Sequence, residues 1–101
     1  DLLDKVYTFQ GYIEVSSFLR TYSFLIPILY EAIGEIDNYF PDRLGLSLEV
    51  IKDIETLEEK LFLKINSLNM NSYESLDNLD DNWWLDIMPK TRFKMNIDLE
   101  F

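Results

Sequence analysis

The apolar residues change their period partway along this chain, from the three-and-four spacing of a helix to the strict alternation of a strand. Between Ser23 and Pro41, Leu25, Ile26, Leu29, Ala32, Ile33, Ile36, Tyr39 and Phe40 recur at three and four, while Glu31, Glu35, Asp37 and Asn38 occupy the other side. That spacing places one apolar stripe on a helix. Pro27 falls in the first turn, where a missing donor costs least, and Pro41 closes the helix by driving the residue before it out of the α region. Beyond it Leu46, Leu48 and Val50 alternate with Ser47 and Glu49, and Leu61, Leu63 and Ile65 alternate with Phe62, Lys64 and Asn66. Two half-buried strands follow, joined closely enough by the acidic run 52–59 to form a hairpin.

The same reasoning covers the two ends. Leu2, Leu3, Val6, Phe9, Ile13 and Val15 have a roughly helical spacing over 2–16, with Gly11 as its one blemish, and 18–22 give no clear pattern. Asn71-Ser72 ahead of Glu74 resembles a capping box, and opens a short helix through Tyr73, Leu76, Leu79 and Trp83. Phe93, Met95, Ile97, Leu99 and Phe101 then alternate unbroken with Lys94, Asn96, Asp98 and Glu100. The expected order is α-α-β-β-α-β, an α+β two-layer sandwich with helices on one face of a three-stranded sheet. The last helix must cross the sheet, so the last strand should run parallel to the second; its neighbour is left open. The chain has 101 residues, the size of a single domain spanning 1–101.

Composition mainly excludes. There is no cysteine and no histidine, which removes disulfides, zinc-thiolate sites, thiol catalysis and histidine-based nucleophile systems. Nineteen acids against nine bases give a net charge of −10, shared evenly: 1–50 hold eight acids and three bases, 51–101 eleven and six. Such a surface repels nucleic acid and anionic membranes and favours solubility. The longest apolar stretch, 24–30, is too short to span a bilayer. No signal peptide is visible, although a chain opening on Asp1 leaves what precedes it open. The expected location is cytoplasmic.

The face of the sheet turned away from the helices should be mostly polar: Ser47, Glu49, Ile51, Phe62, Lys64, Asn66, Lys94, Asn96, Asp98 and Glu100. Ile51 and Phe62 stand out on it as apolar islands, and Glu49 can pair with Lys64 across the strands. Adjacent residues on an α-helix cannot both face inward, so Trp83 is expected as a core anchor and Trp84 at a partly exposed edge suited to an interface. Candidate interaction residues are therefore Phe62, Ile51, Lys64, Trp83 and Trp84.

Asp77 and Asp81, four apart on a helix, could act as a carboxylate pair, but nothing else is placed to join them. Asp53, Glu55, Glu58 and Glu59 lack the calcium-loop pattern, and no phosphate-binding glycine loop or nucleophile turn is present. Lys90, Arg92 and Lys94 form the one basic cluster, projecting from one side at strand spacing. No catalytic, cofactor or metal residue is assigned. The expectation is a non-enzymatic interaction or regulatory module that works on a protein partner or on itself, as a homodimer for example. The alternatives are a metal-dependent or small-ligand enzyme using the acidic residues, and a structural domain of a larger chain.

Several segments resemble a family of small uncharacterised bacterial proteins found especially in cyanobacteria. They are Ile26-Pro27-Ile28-Leu29-Tyr30-Glu31-Ala32-Ile33 with Tyr39-Phe40-Pro41, Leu46-Ser47-Leu48-Glu49-Val50, Leu61-Phe62-Leu63-Lys64-Ile65, Asp81-Asn82-Trp83-Trp84-Leu85-Asp86 and Ile97-Asp98-Leu99-Glu100-Phe101. The resemblance spans roughly 24–101. It departs at Asp53-Ile54-Glu55, where those proteins often show Asp-Pro-Glu. It implies the α+β order and a bacterial, cytoplasmic origin, and it transfers no site.

Overall fold

A computed structural model describes residues 3–100. The chain is α+β: helices pack on one face of a four-stranded mixed sheet. A short helix α1 (Leu3–Val6) leads into β1 (Tyr7–Gln10), followed by α2 (Tyr12–Thr21), α3 (Leu25–Tyr39), β2 (Gly45–Lys52) and β3 (Glu59–Asn66). A helical run then passes through α4 (Ser72–Leu79), a π turn (Asp80–Trp84), α5 (Leu85–Ile87) and a 3-10 turn (Met88–Thr91) before β4 (Met95–Glu100). The strands lie in chain order, with β1 parallel to β2, β2 antiparallel to β3 and β3 parallel to β4.

The first helix expected from the sequence is the main correction. Residues 7–10 form an edge strand, in register from Tyr7 opposite Leu46 to Gln10 opposite Glu49. A Tyr-Thr-Phe-Gln run suits an extended backbone, and its partner lies almost forty residues away, beyond the reach of a local pattern. Gly11, which had looked like a flaw in a helix, is the joint. It sits at φ 80, where a left-handed backbone favours glycine, and its carbonyl accepts the Val15 N–H that starts α2. Leu2 and Phe101 lie outside the described residues.

The other elements follow their patterns more closely. Leu25, Leu29, Ala32 and Ile36 of α3 are fully buried, as are Leu48 of β2 and Leu61, Leu63 and Ile65 of β3. Tyr7 reaches across this core to donate to the Leu29 carbonyl at 2.7 Å, fastening β1 to α3. Burial raises its phenol pKa well above the ordinary value; Arg43 opposes that shift and Asp37 adds to it. Helix α4 starts where expected, but Asn71 makes no side-chain cap bond; instead the Ser72 hydroxyl donates to the Asn69 carbonyl at 2.6 Å.

The last strand starts two residues later than the alternation implies. Arg92 and Phe93 both have left-handed backbones, at φ 54 and 58, and Phe93 is exposed rather than packed inward. This double kink turns the chain out of the 3-10 turn and into β4. The basic cluster is therefore no strand face: the Arg92 guanidinium lies 4.3 Å from the Phe24 ring centroid and the Lys94 ammonium 5.1 Å from that of Tyr22. Both cations rest on aromatic faces contributed by the helical layer.

One topological consequence could not be seen in the sequence. The β1–β2 and β3–β4 crossovers step across the sheet in the same direction, yet their strands point oppositely. Their helices share one face, since α3 contacts α4 and the Trp83 indole N–H donates to Glu31 of α3 at 3.1 Å. The two crossovers must therefore differ in hand. One of them belongs to the rare left-handed class.

Candidate interaction surface

The alternation of β2 and β3 that fills the core also defines the opposite face. Among the described residues no helix covers it. Thr8 and Gln10 of β1 join the polar positions of β2 and β3, and Asn96, Asp98 and Glu100 extend the face onto β4. Lys94, expected on this face, precedes β4 and points to the helical side.

The two ends of the face differ in chemistry. At the hairpin end, Ile51 pairs with Lys60 and Phe62 with Glu49 in the β2–β3 register, which makes Ile51 and Phe62 diagonal neighbours. Together with Asp53, Glu58, Lys60 and Asn96 they line a depression of about 220 Å³. Ile51 is 37% exposed and Phe62 half-buried. The two apolar islands of the sequence thus meet in one patch. Beside them the Lys64 ammonium lies 2.6 Å from a Glu49 carboxylate oxygen, a half-buried diagonal ion pair.

At the other end the surface is polar. The Ser47 hydroxyl donates to Glu100 at 3.1 Å and the Gln10 amide makes a longer contact with the same carboxylate at 3.4 Å. Glu100 thereby links the last strand to both β2 and β1, in a cleft of about 390 Å³ that also takes in Thr8 and Asn66. Sequence reasoning missed this grouping because it read 7–10 as helix, which left Gln10 with no place on the sheet. Gly11 was the signal that could have exposed the strand.

The tryptophans do not form an exposed edge. Trp83 and Trp84 are each only 5% exposed, with ring centroids 5.9 Å apart. The premise that neighbours cannot both face inward holds for a regular α-helix, where successive side chains diverge by roughly 100°. Residues 80–84 instead form a π turn, an i→i+5 winding that shifts the helical register at this point, so the regular α-helical spacing no longer decides which of the two indoles is buried. Both rings enter the core, and neither is available on the surface.

The same turn strains one acid. The Asp80 carboxylate has a buried oxygen with no hydrogen-bond partner among the described residues. Burial raises its pKa, and the nearby charges of Asp77 and Asp81 push it further the same way. The hairpin acids are placed differently: the Asp53 carboxylate accepts the Glu55 and Thr56 N–H groups, at 2.8 and 3.4 Å, and so shapes the turn. Among the described residues no three acids gather as a metal site would require, and no helix is long and apolar enough to cross a membrane.

No family model, curated protein or solved structure matches the chain.

Proposed function

We propose that this chain is a non-enzymatic interaction module that binds a protein partner, or a second copy of itself, through the uncovered sheet face. The observation that carries this reading is that Ile51 and Phe62 lie as diagonal neighbours in one depression on a face otherwise made of polar groups, beside the Glu49–Lys64 ion pair. A compact apolar patch ringed by polar side chains is the usual composition of a recognition surface. A bacterial, cytoplasmic setting, as the sequence resemblance implies, belongs to the same proposal.

Sedimentation across a wide concentration range, together with capture by the immobilised chain, tests it. The wild type should self-associate or retain a specific partner, and Phe62→Asp should abolish that association while keeping the far-ultraviolet circular dichroism of the wild type. A strictly monomeric chain that retains nothing would sink the proposal, as would a Phe62→Asp variant that associates as the wild type does.

A further inference from the structure

A second surface, on the helical side, has different chemistry and shares only Glu58, near the hairpin tip, with the depression on the sheet face. A groove of about 590 Å³ runs between α2 and the β2–β3 hairpin, floored by Phe18 and Tyr22. Its walls carry two aliphatic side chains turned toward solvent, Ile13 at 74% exposure and Leu57 at 67%. Its rim carries Glu14, Glu58 and Glu59, all exposed, and none of them forms an ion pair among the described residues. The single cation in the lining, Lys94, lies against the Tyr22 ring.

Leu57 is the telling residue. Its φ of 61 is a backbone setting that suits glycine, and the hairpin closes around it through bonds that do not involve its side chain: Leu57 N–H to the Asp53 carbonyl and Asp53 N–H to the Glu58 carbonyl, both at 2.8 Å, with the Asp53 carboxylate and the Thr56 hydroxyl accepting further N–H groups of the turn. Nothing in that turn calls for a leucine. The strain is not recovered by burial either, because the side chain stands in solvent at the groove wall.

We infer that this groove binds a cationic amphipathic peptide segment, whose apolar side chains fill the space between Ile13 and Leu57 while its lysines or arginines meet Glu14, Glu58 and Glu59. Charge decides among occupants. A second copy of a chain with net charge −10 would bring acids against acids, and anionic lipid or nucleic acid would be repelled in the same way. An apolar cation-bearing segment matches both floor and rim.

The test uses the full chain and a fluorescently labelled amphipathic peptide with leucines on one face and lysines on the other, read by anisotropy. The wild type should bind it with strong salt dependence and should ignore the counterpart with glutamates for lysines. Combined Glu14→Gln, Glu58→Gln and Glu59→Gln should weaken binding by about tenfold. Removing the same charge outside the groove, by Asp42→Asn, Glu74→Gln and Asp86→Asn, should weaken it by about twofold at most. Leu57→Gly relaxes the left-handed turn, so the fold is kept, and it should still cost about tenfold in affinity. Phe62→Asp, which adds an acid outside the groove, should not weaken peptide binding, which separates failure here from failure of the sheet-face proposal. Equal losses from the two charge sets, a silent Leu57→Gly, binding of the glutamate peptide, or no binding at all would each overturn the inference.

Discussion

The two faces of the central hairpin are built from alternate residues of the same strands, yet their surroundings are opposite. On the covered face Leu48, Leu61, Leu63 and Ile65 are wholly excluded from solvent and meet helices α3 and α4 in a single core. On the uncovered face, one residue away along the chain, Glu49, Phe62 and Lys64 are only half-buried and meet one another. The difference shows that a single alternation can assign the core to one side and leave the other open to solvent. Substitutions on the two sides should therefore separate cleanly.

The largest expected effect lies on the covered side. Leu63→Ala removes a fully buried side chain from the middle of β3 and should lower unfolding free energy by about 2–5 kcal/mol, measured by urea denaturation. A loss below about 1 kcal/mol would mean that the site collapses freely, and the contrast between the faces would break down.

The covered side also contains a flaw that can be repaired. The Asp80 carboxyl lies beside Asp77 and Asp81 with one buried oxygen that has no hydrogen-bond partner among the described residues, and burial, with those two charges, raises its pKa. A carboxyl whose folded pKa lies above its unfolded value favours the fold below the unfolded value and opposes it as pH rises through the folded one. Asp80→Asn should therefore raise the thermal midpoint at neutral pH, by less than Leu63→Ala lowers it, and the gain should vanish in acid once the wild-type carboxyl is protonated. A gain that is the same at both pH values would assign the effect to packing at the π turn instead.

How far the sequence could be read depended on whether the deciding contact was local. Helix α3, the hairpin and the polar side of β2 and β3 are periodic over many residues, and so were visible. Residues 7–10 are too few to establish a period, and what makes them a strand is β2, far along the chain. With that strand missing, Gln10, Ser47 and Glu100 could not be brought together. Trp84 failed for another reason: the α-helical spacing rule was applied where the backbone widens into a π turn. Phe93 continued a perfect alternation, but its left-handed φ takes it out of the strand. Each error replaced a change in backbone geometry with a continued pattern. Ile51, Phe62 and Lys64 lie on the uncovered face, where the alternation places them, because they belong to the regular hairpin.

The smallest expected effect probes how open the uncovered face is. Glu49 and Lys64 form a diagonal pair with a 2.6 Å contact, their side chains 36% and 22% exposed. In a double-mutant cycle with Glu49→Gln and Lys64→Met, their coupling should be about 0.2–1 kcal/mol and should shrink as salt is added, as for pairs within reach of water. A charge pair withdrawn from solvent would behave otherwise: its coupling would be larger and less sensitive to salt, because both dielectric and ionic screening would be reduced. If the cycle gives the small value in dilute protein and a larger, salt-resistant one at concentrations where the chain associates, then the partner covers this pair. A small value at every concentration, with association still observed, would place the contact elsewhere, on the Ile51–Phe62 end alone or on the helical side.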